Sequence, residues 1–235
     1  MLFGHPRNAS RSSDLSISFE DGSQLEKVNS FKYLGVTMDP ELSFKSHIDL
    51  TVRKTYGSLC SLYPSTNCFS FEVRKRIITQ VLLPIVDYAD IVYQNATDTN
   101  LKPLNVLYNA LCRFILRCPY RTHHCALYSA LDWLQPEQRR QFHWYLFLFK
   151  CVHLNCPSYL KPSLEPYTSP YPLRHSQHPY FTVPTRITTE AGRQAFHYKA
   201  PSDWNNLPLS LRSITSLGRF RTSLYSHLET TCSCF

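Results

Sequence analysis

The feature that most constrains this chain is a change of hydrophobic period at Pro40. Before it, Leu15, Ile17 and Phe19 alternate with Ser16, Ser18 and Glu20, the two-residue period of a half-buried strand. Asp21-Gly22 then supplies the positive φ values of a tight turn, and Leu25 to Val28 begins the return. Phe31 to Met38 carries apolar residues on both faces and is expected to be a second, well-buried strand. After Pro40 the period becomes helical: Ile48, Val52, Tyr56, Leu59 and Tyr63 fall on one face, and Pro64 ends the run because it lacks an amide donor. Ser70 is the expected N-cap of a second helix, which Pro84 kinks or breaks before Ile85 to Tyr93. Helices are further predicted over Leu101 to Leu116 and after Gln135-Pro136, where Phe142, Tyr145, Leu146, Phe149 and Val152 form an apolar stripe. From Cys156 to Pro184 prolines interleaved with Tyr and Ser dissolve the pattern; order returns near Arg193 to Trp204 and in a last helix, Leu217 to Leu228.

The fold class that follows is mainly α: a short N-terminal β-hairpin (1–40), a helical bundle (41–156) and a proline-rich C-terminal extension with a terminal helix (157–235). At 235 residues there is enough chain to bury a core. Lysine and arginine number 25 against 17 acidic residues, a net charge of +8 that favours a polyanion, nucleic acid first. Nine cysteines at irregular spacing, with no signal-like N-terminus, point to free thiols in an intracellular setting, nucleus or cytoplasm. No apolar run is long enough to span a bilayer, so no membrane partner is expected.

Few residues are arranged for chemistry. Tyr88-Ala89-Asp90 imitates the Tyr-x-Asp-Asp hairpin of a polymerase but has one carboxylate where a two-metal site needs a pair. Asp87 and Asp90, three apart in an expected helix, share a face without forming a clamp. Cys118, His123, His124 and Cys125 cluster, as do Cys151, His153 and Cys156, yet neither spacing is that of a zinc knuckle, and the C-terminal Cys232 and Cys234 have no partners following them. No catalytic residue and no metal ligand is expected. Trp133, Trp144 and Trp204 are expected to anchor packing. The cations are more informative: Arg53-Lys54, Arg74-Lys75-Arg76 and the i, i+4 pair Arg113 and Arg117 make basic ridges along helices. Such ridges are either a sequence-independent grip on a nucleic-acid backbone or ordinary solvated helix faces.

Several segments, in order, resemble the C-terminal region of reverse transcriptases from non-LTR (LINE-type, jockey-like) retrotransposons. Phe31-Lys32-Tyr33-Leu34-Gly35-Val36-Thr37-Met38-Asp39 resembles the primer grip, and Met1-Leu2-Phe3 the end of the strand before it. Leu42 to Ile48 is similar to the start of the thumb, Leu131 to Arg139 to an L-x-W-L-P-x-x-x-R segment with one proline displaced, and Ala195 to Pro208 to the C-terminal signature. The resemblance implies a thumb-like fragment of an RNA-directed DNA polymerase that grips an RNA/DNA primer–template. It also implies that the palm and fingers, with the catalytic carboxylates and their Mg2+, lie upstream, so that the chain has no cofactor and no activity alone. In this reading Lys32, Tyr33 and Gly35 are the primer-grip contacts; for Lys32 the alternative is a plain solvent-facing strand residue. The alternative to the fragment as a whole is a stand-alone basic remnant or a genomic relic without function.

Overall fold

The structure, a computed structural model, describes residues 3, 18, 20–24, 26, 28–167 and 180–229. It is mainly α, as the helical periods require, and divides into two compact units, one running to Trp133 and the other starting at Leu134. Leu15, Ile17, Phe19 and Leu25 of the expected first hairpin, Met1-Leu2 and the terminal Cys232 and Cys234 lie outside the described residues. The turn at its centre is described. Gly22 has φ 84°, the Ser23 amide and hydroxyl both donate to Asp21 Oδ1, and Ser18 bridges Gln24 across the turn.

The segment Phe31 to Met38 corrects the sequence expectation. It is a hairpin folded on itself, not one strand: β1 (Phe31–Tyr33) pairs antiparallel with β2 (Val36–Met38), with Tyr33 opposite Val36. Leu34 and Gly35 form the two-residue turn at φ 45° and 85°, the paired positive values that match the twist of adjacent strands. The glycine makes the reversal accessible; the leucine takes it at a steric cost. Phe31, Tyr33 and Leu34 are consequently exposed, and of this run only Val36 is buried.

Helix α1 (Lys45–Leu62) buries His47, Ile48, Thr51, Thr55 and Leu59. Tyr56 and Tyr63, expected on the inner face, are about half exposed, because the buried stripe runs through the smaller threonines that let α1 approach β2 and the long helix α5 (Asp98–Leu116). A 3-10 segment containing Pro64, Tyr63–Cys68, follows α1. Helix α2 (Phe71–Ile77) starts as expected, with Ser70 Oγ accepting from the Val73 amide.

Pro84 does not end the path. The chain widens to π-type turns over Ile78–Leu82 and resumes as α3 (Leu83–Asp87), placing the proline in a first turn, where its missing amide costs little. The break falls at Tyr88 and Ala89, the latter at φ 56°, before α4 (Asp90–Tyr93). Asp87 and Asp90 therefore belong to different helices, although a carboxylate oxygen of each still lies within 4.8 Å of the other. Helix α6 (His124–Leu131) closes the unit. Leu59, Ile78, Leu82, Leu111, Phe114 and Leu127 lie in its main core. A smaller cluster of Val36, Phe44, Ile48, Tyr93 and Leu104 anchors the hairpin.

In the second unit, α7 (Pro136–His153) packs against α11 (Leu217–Glu229), joined by α8 (Glu190–Gln194), α9 (Phe196–Asn206) and α10 (Leu209–Arg212). Of the expected stripe, Phe142 and Phe149 are buried; Trp144, Leu148 and Cys151 complete the inner face, while Tyr145, Leu146 and Val152 flank it half-buried. The partner of this stripe is α11, so α7 packs with the C-terminal residues in the compact unit that starts at Leu134. Trp204 is fully buried and stacks on Phe220, which stacks in turn on Phe149. Asn205 exchanges two hydrogen bonds with the backbone of Phe181 (3.0 and 2.7 Å), fastening the 180s to α9. Trp144 Nε1 donates to Asp203 Oδ2 at 2.8 Å, and Lys199 pairs with the same carboxylate. Burial, with Asp203 adding to it, pushes the Tyr145 phenol up to about 12.

Candidate nucleic-acid interface

The ten residues expected at the site all lie in the first unit, and folding sorts them. Lys32, Gly35 and Lys54 come together: with Thr37, His47 and Tyr88 they line a cleft of about 430 Å3 between the hairpin, α1 and the Pro84 turn. Alternation in β1 directs Lys32 there. Gly35 approaches Tyr88 so closely that a Cβ at this position would stand 3.1 Å from the ring. The Tyr88 hydroxyl donates to the Leu34 carbonyl at 2.6 Å and so clamps the hairpin turn onto the helices. Nothing in the sequence points to Tyr88 as a site residue; its segment reads as an imitation of a catalytic hairpin, and only the break at Ala89 turns it back towards residue 34.

His47 is the other residue the sequence conceals. It is buried at the base of α1, where Nδ1 accepts from the Thr37 amide at 3.4 Å and the ring lies 5.4 Å from that of Tyr93. Burial, and after it the charge of Lys32, lowers the His47 pKa below its ordinary 6.5. The folded state thus disfavours the imidazolium that the unfolded chain accepts. Stability is complete above pH 6.5 and is lost as pH falls below it, since the unfolded state then binds the extra proton. Burial lowers His124 and His153 in the same sense. Urea midpoints are expected to fall between pH 7.5 and 5. His47→Asn, which keeps an acceptor for Thr37 but does not titrate, should flatten part of that fall; an unaltered pH profile in this variant would refute the assignment.

The other cations sit elsewhere. Arg53 is exposed on α1 beside Lys54 but outside the cleft, and Tyr33 is exposed at the end of β1. Lys75 lies over the Phe71 ring at 5.9 Å, and Arg76 is exposed on α2. At the end of α5, Arg113 donates to the Thr122 carbonyl and covers the Tyr120 ring at 5.1 Å. Arg117, at the αL cap of the same helix, donates to Asn67 Oδ1. Arg74 departs from its ridge altogether. It is buried, and its guanidinium donates to the carbonyls of Ile115 (2.9 Å) and Phe69, tying α2 to the end of α5. It holds helices together and presents no charge to the surface.

A larger cavity, about 770 Å3, lies in the second unit among Val152, His153, Lys161, Leu164 and Phe181, and holds none of the ten. The seven cysteines among the described residues are free thiols. Among the described residues no helix is long and apolar enough to cross a membrane.

Parts of the chain are similar to two known proteins. The chain is 26% identical over 126 residues to the probable RNA-directed DNA polymerase from transposon BS of Drosophila melanogaster, covering 52% of this chain and 14% of that protein. It is 30% identical over 103 residues to the RNA-directed DNA polymerase from mobile element jockey of Drosophila funebris, covering 43% of this chain and 11% of that protein. About half of the chain is therefore similar to jockey-like retrotransposon reverse transcriptases, and the match spans a small part of either relative. No family model and no solved structure matches the chain.

Proposed function

We propose that this chain is the thumb-like, C-terminal part of a retrotransposon RNA-directed DNA polymerase and that it grips the primer–template. The observation that carries the reading is the cleft itself: two lysines from separate elements, Lys32 and Lys54, face one concavity whose rim is a tyrosine-clamped glycine turn. The bare Cα of Gly35 lets the Tyr88 ring close against the turn and form one wall of the cleft, and paired ammonium groups there can neutralise phosphates without reading sequence. The net charge of +8 and the exposed Arg53, Arg76 and Arg117 extend the same potential beyond the cleft. The relatives are named as polymerases of mobile elements, whose work requires nucleic acid. In this reading phosphoryl transfer and its Mg2+ belong to a palm outside this chain, and the chain alone does not extend a primer.

The test is fluorescence anisotropy of a labelled RNA–DNA primer–template over a range of salt. The double variant Lys32→Ala, Lys54→Ala is expected to bind more weakly and to lower the slope of log K against log salt by about 2, one unit for each phosphate contact removed. An unchanged slope would sink the cleft as the grip.

A further inference from the structure

Spacing along the sequence argues against a zinc knuckle around residue 120, but folding assembles something the spacing does not display. His123, His124 and Cys125 are consecutive, and a side-chain donor atom from each lies within 4.8 Å of the other two. The convergence has a local cause. His123 is the N-cap of α6, in extended conformation, while His124 and Cys125 open its first turn, so the chain bends between the first ligand and the other two. His123 Nδ1 accepts from the Cys125 amide at 3.4 Å, which orients that ring at the start of α6. The two imidazoles lie close and tilted to one another, 4.2 Å between centroids and 33° between planes. The preceding turn is itself held, by the Thr122 amide donating to the Pro119 carbonyl and by Arg113 donating to the Thr122 carbonyl.

We propose that His123, His124 and Cys125 form a three-ligand site for a borderline-soft divalent cation, with Zn2+ as the type. Two imidazole nitrogens and one thiolate suit zinc and exclude the hard cations Mg2+ and Ca2+, which take oxygen. Binding releases the thiol proton of Cys125, and the thiolate offsets the unfavourable positive end of the α6 dipole. Three protein ligands leave the fourth tetrahedral position for water or for a donor from another molecule. His123 is exposed and the other two half-buried, so the site is open to exchange with solvent. This site shares no residue with the lysine cleft, and its failure would leave the proposed grip untouched.

Untagged protein titrated with Co2+ tests it. One equivalent is expected to produce a thiolate-to-cobalt charge-transfer band that Zn2+ displaces. Cys125→Ser should abolish the band, and the double variant Cys60→Ser, Cys68→Ser, lacking two exposed thiols elsewhere, should retain it. His123→Ala also removes the side-chain cap of α6, a cost of about 0.5–2 kcal/mol, so His123→Asn, which restores a cap acceptor but not the imidazole, is measured beside it and both are checked for native circular dichroism. Each should weaken Co2+ binding by more than about tenfold, the loss that removing even an outer partner of a ligand can cause. No saturable band in the parent protein, a band that survives Cys125→Ser, or an unchanged affinity in His123→Ala would each overturn the proposal.

Discussion

Trp204→Ala is expected to destabilise the second unit by about 3–5 kcal/mol, the range for emptying a large aromatic site in a packed core. The indole has no exposed surface, and its neighbours are rings: Phe220 at 6.1 Å, His153 at 5.8 Å and Phe181 at 6.5 Å. These come from α11, the end of α7 and the 180s, so one side chain joins three pieces of chain that are distant in sequence. Removing it leaves a cavity that helices fixed at both ends close only in part. The side-chain amide of adjacent Asn205 exchanges two hydrogen bonds with the Phe181 backbone, and that link loses its support as well. The measurement is urea unfolding followed by near-ultraviolet and far-ultraviolet circular dichroism, with the two units allowed separate transitions. Trp204→Phe should recover part of the loss by restoring a stack on Phe220. A change below about 1 kcal/mol in the alanine variant, the scale of a surface substitution, would show that Trp204 is not the keystone described here.

Arg74→Ala is expected to cost the first unit about 2–4 kcal/mol. The buried carbonyl of Ile115 and the part-buried one of Phe69 would lose a charged donor, and hydrogen bonds to charged groups are worth about 1.5–3 kcal/mol each, with relaxation and solvent at Phe69 reducing the sum. Arg74→Lys keeps the charge but presents a point ammonium in place of a planar fork, so it cannot span both acceptors and should rescue less than half. Below the unfolding transition, either variant should leave the salt dependence of primer–template binding unchanged, because Arg74 contributes no phosphate contact. A drop in that slope would return Arg74 to the surface ridge that the sequence suggests.

Arg74 also shows where sequence reading reaches its limit. In sequence it is one of three consecutive cations, indistinguishable from Lys75 and Arg76; a helix turns by about 100° per residue, so three in a row cannot all face solvent beside a packed neighbour. Which one turns inward depends on where the carbonyls at the end of α5 lie, a fact some forty positions away along the chain. His47 and Tyr88 are hidden in the sequence for the same reason. Their partners, Thr37 and Leu34, are in the hairpin, and neither link has a local signature.

What the sequence determined by itself is local. The Ser70 cap, the Gln135-Pro136 start of α7, the long helix ending at Leu116 and the terminal helix from Leu217 all follow from side chains that satisfy or remove nearby backbone donors, and from apolar period. Tertiary structure alone decided the reversal at Leu34-Gly35, the rotation of α1 that buried threonines and exposed tyrosines, and the assignment of α7 to the C-terminal unit. Each of these is a competition between surfaces distant along the chain. Burial free energy is set by which surface each one meets, and no local window of sequence contains both partners.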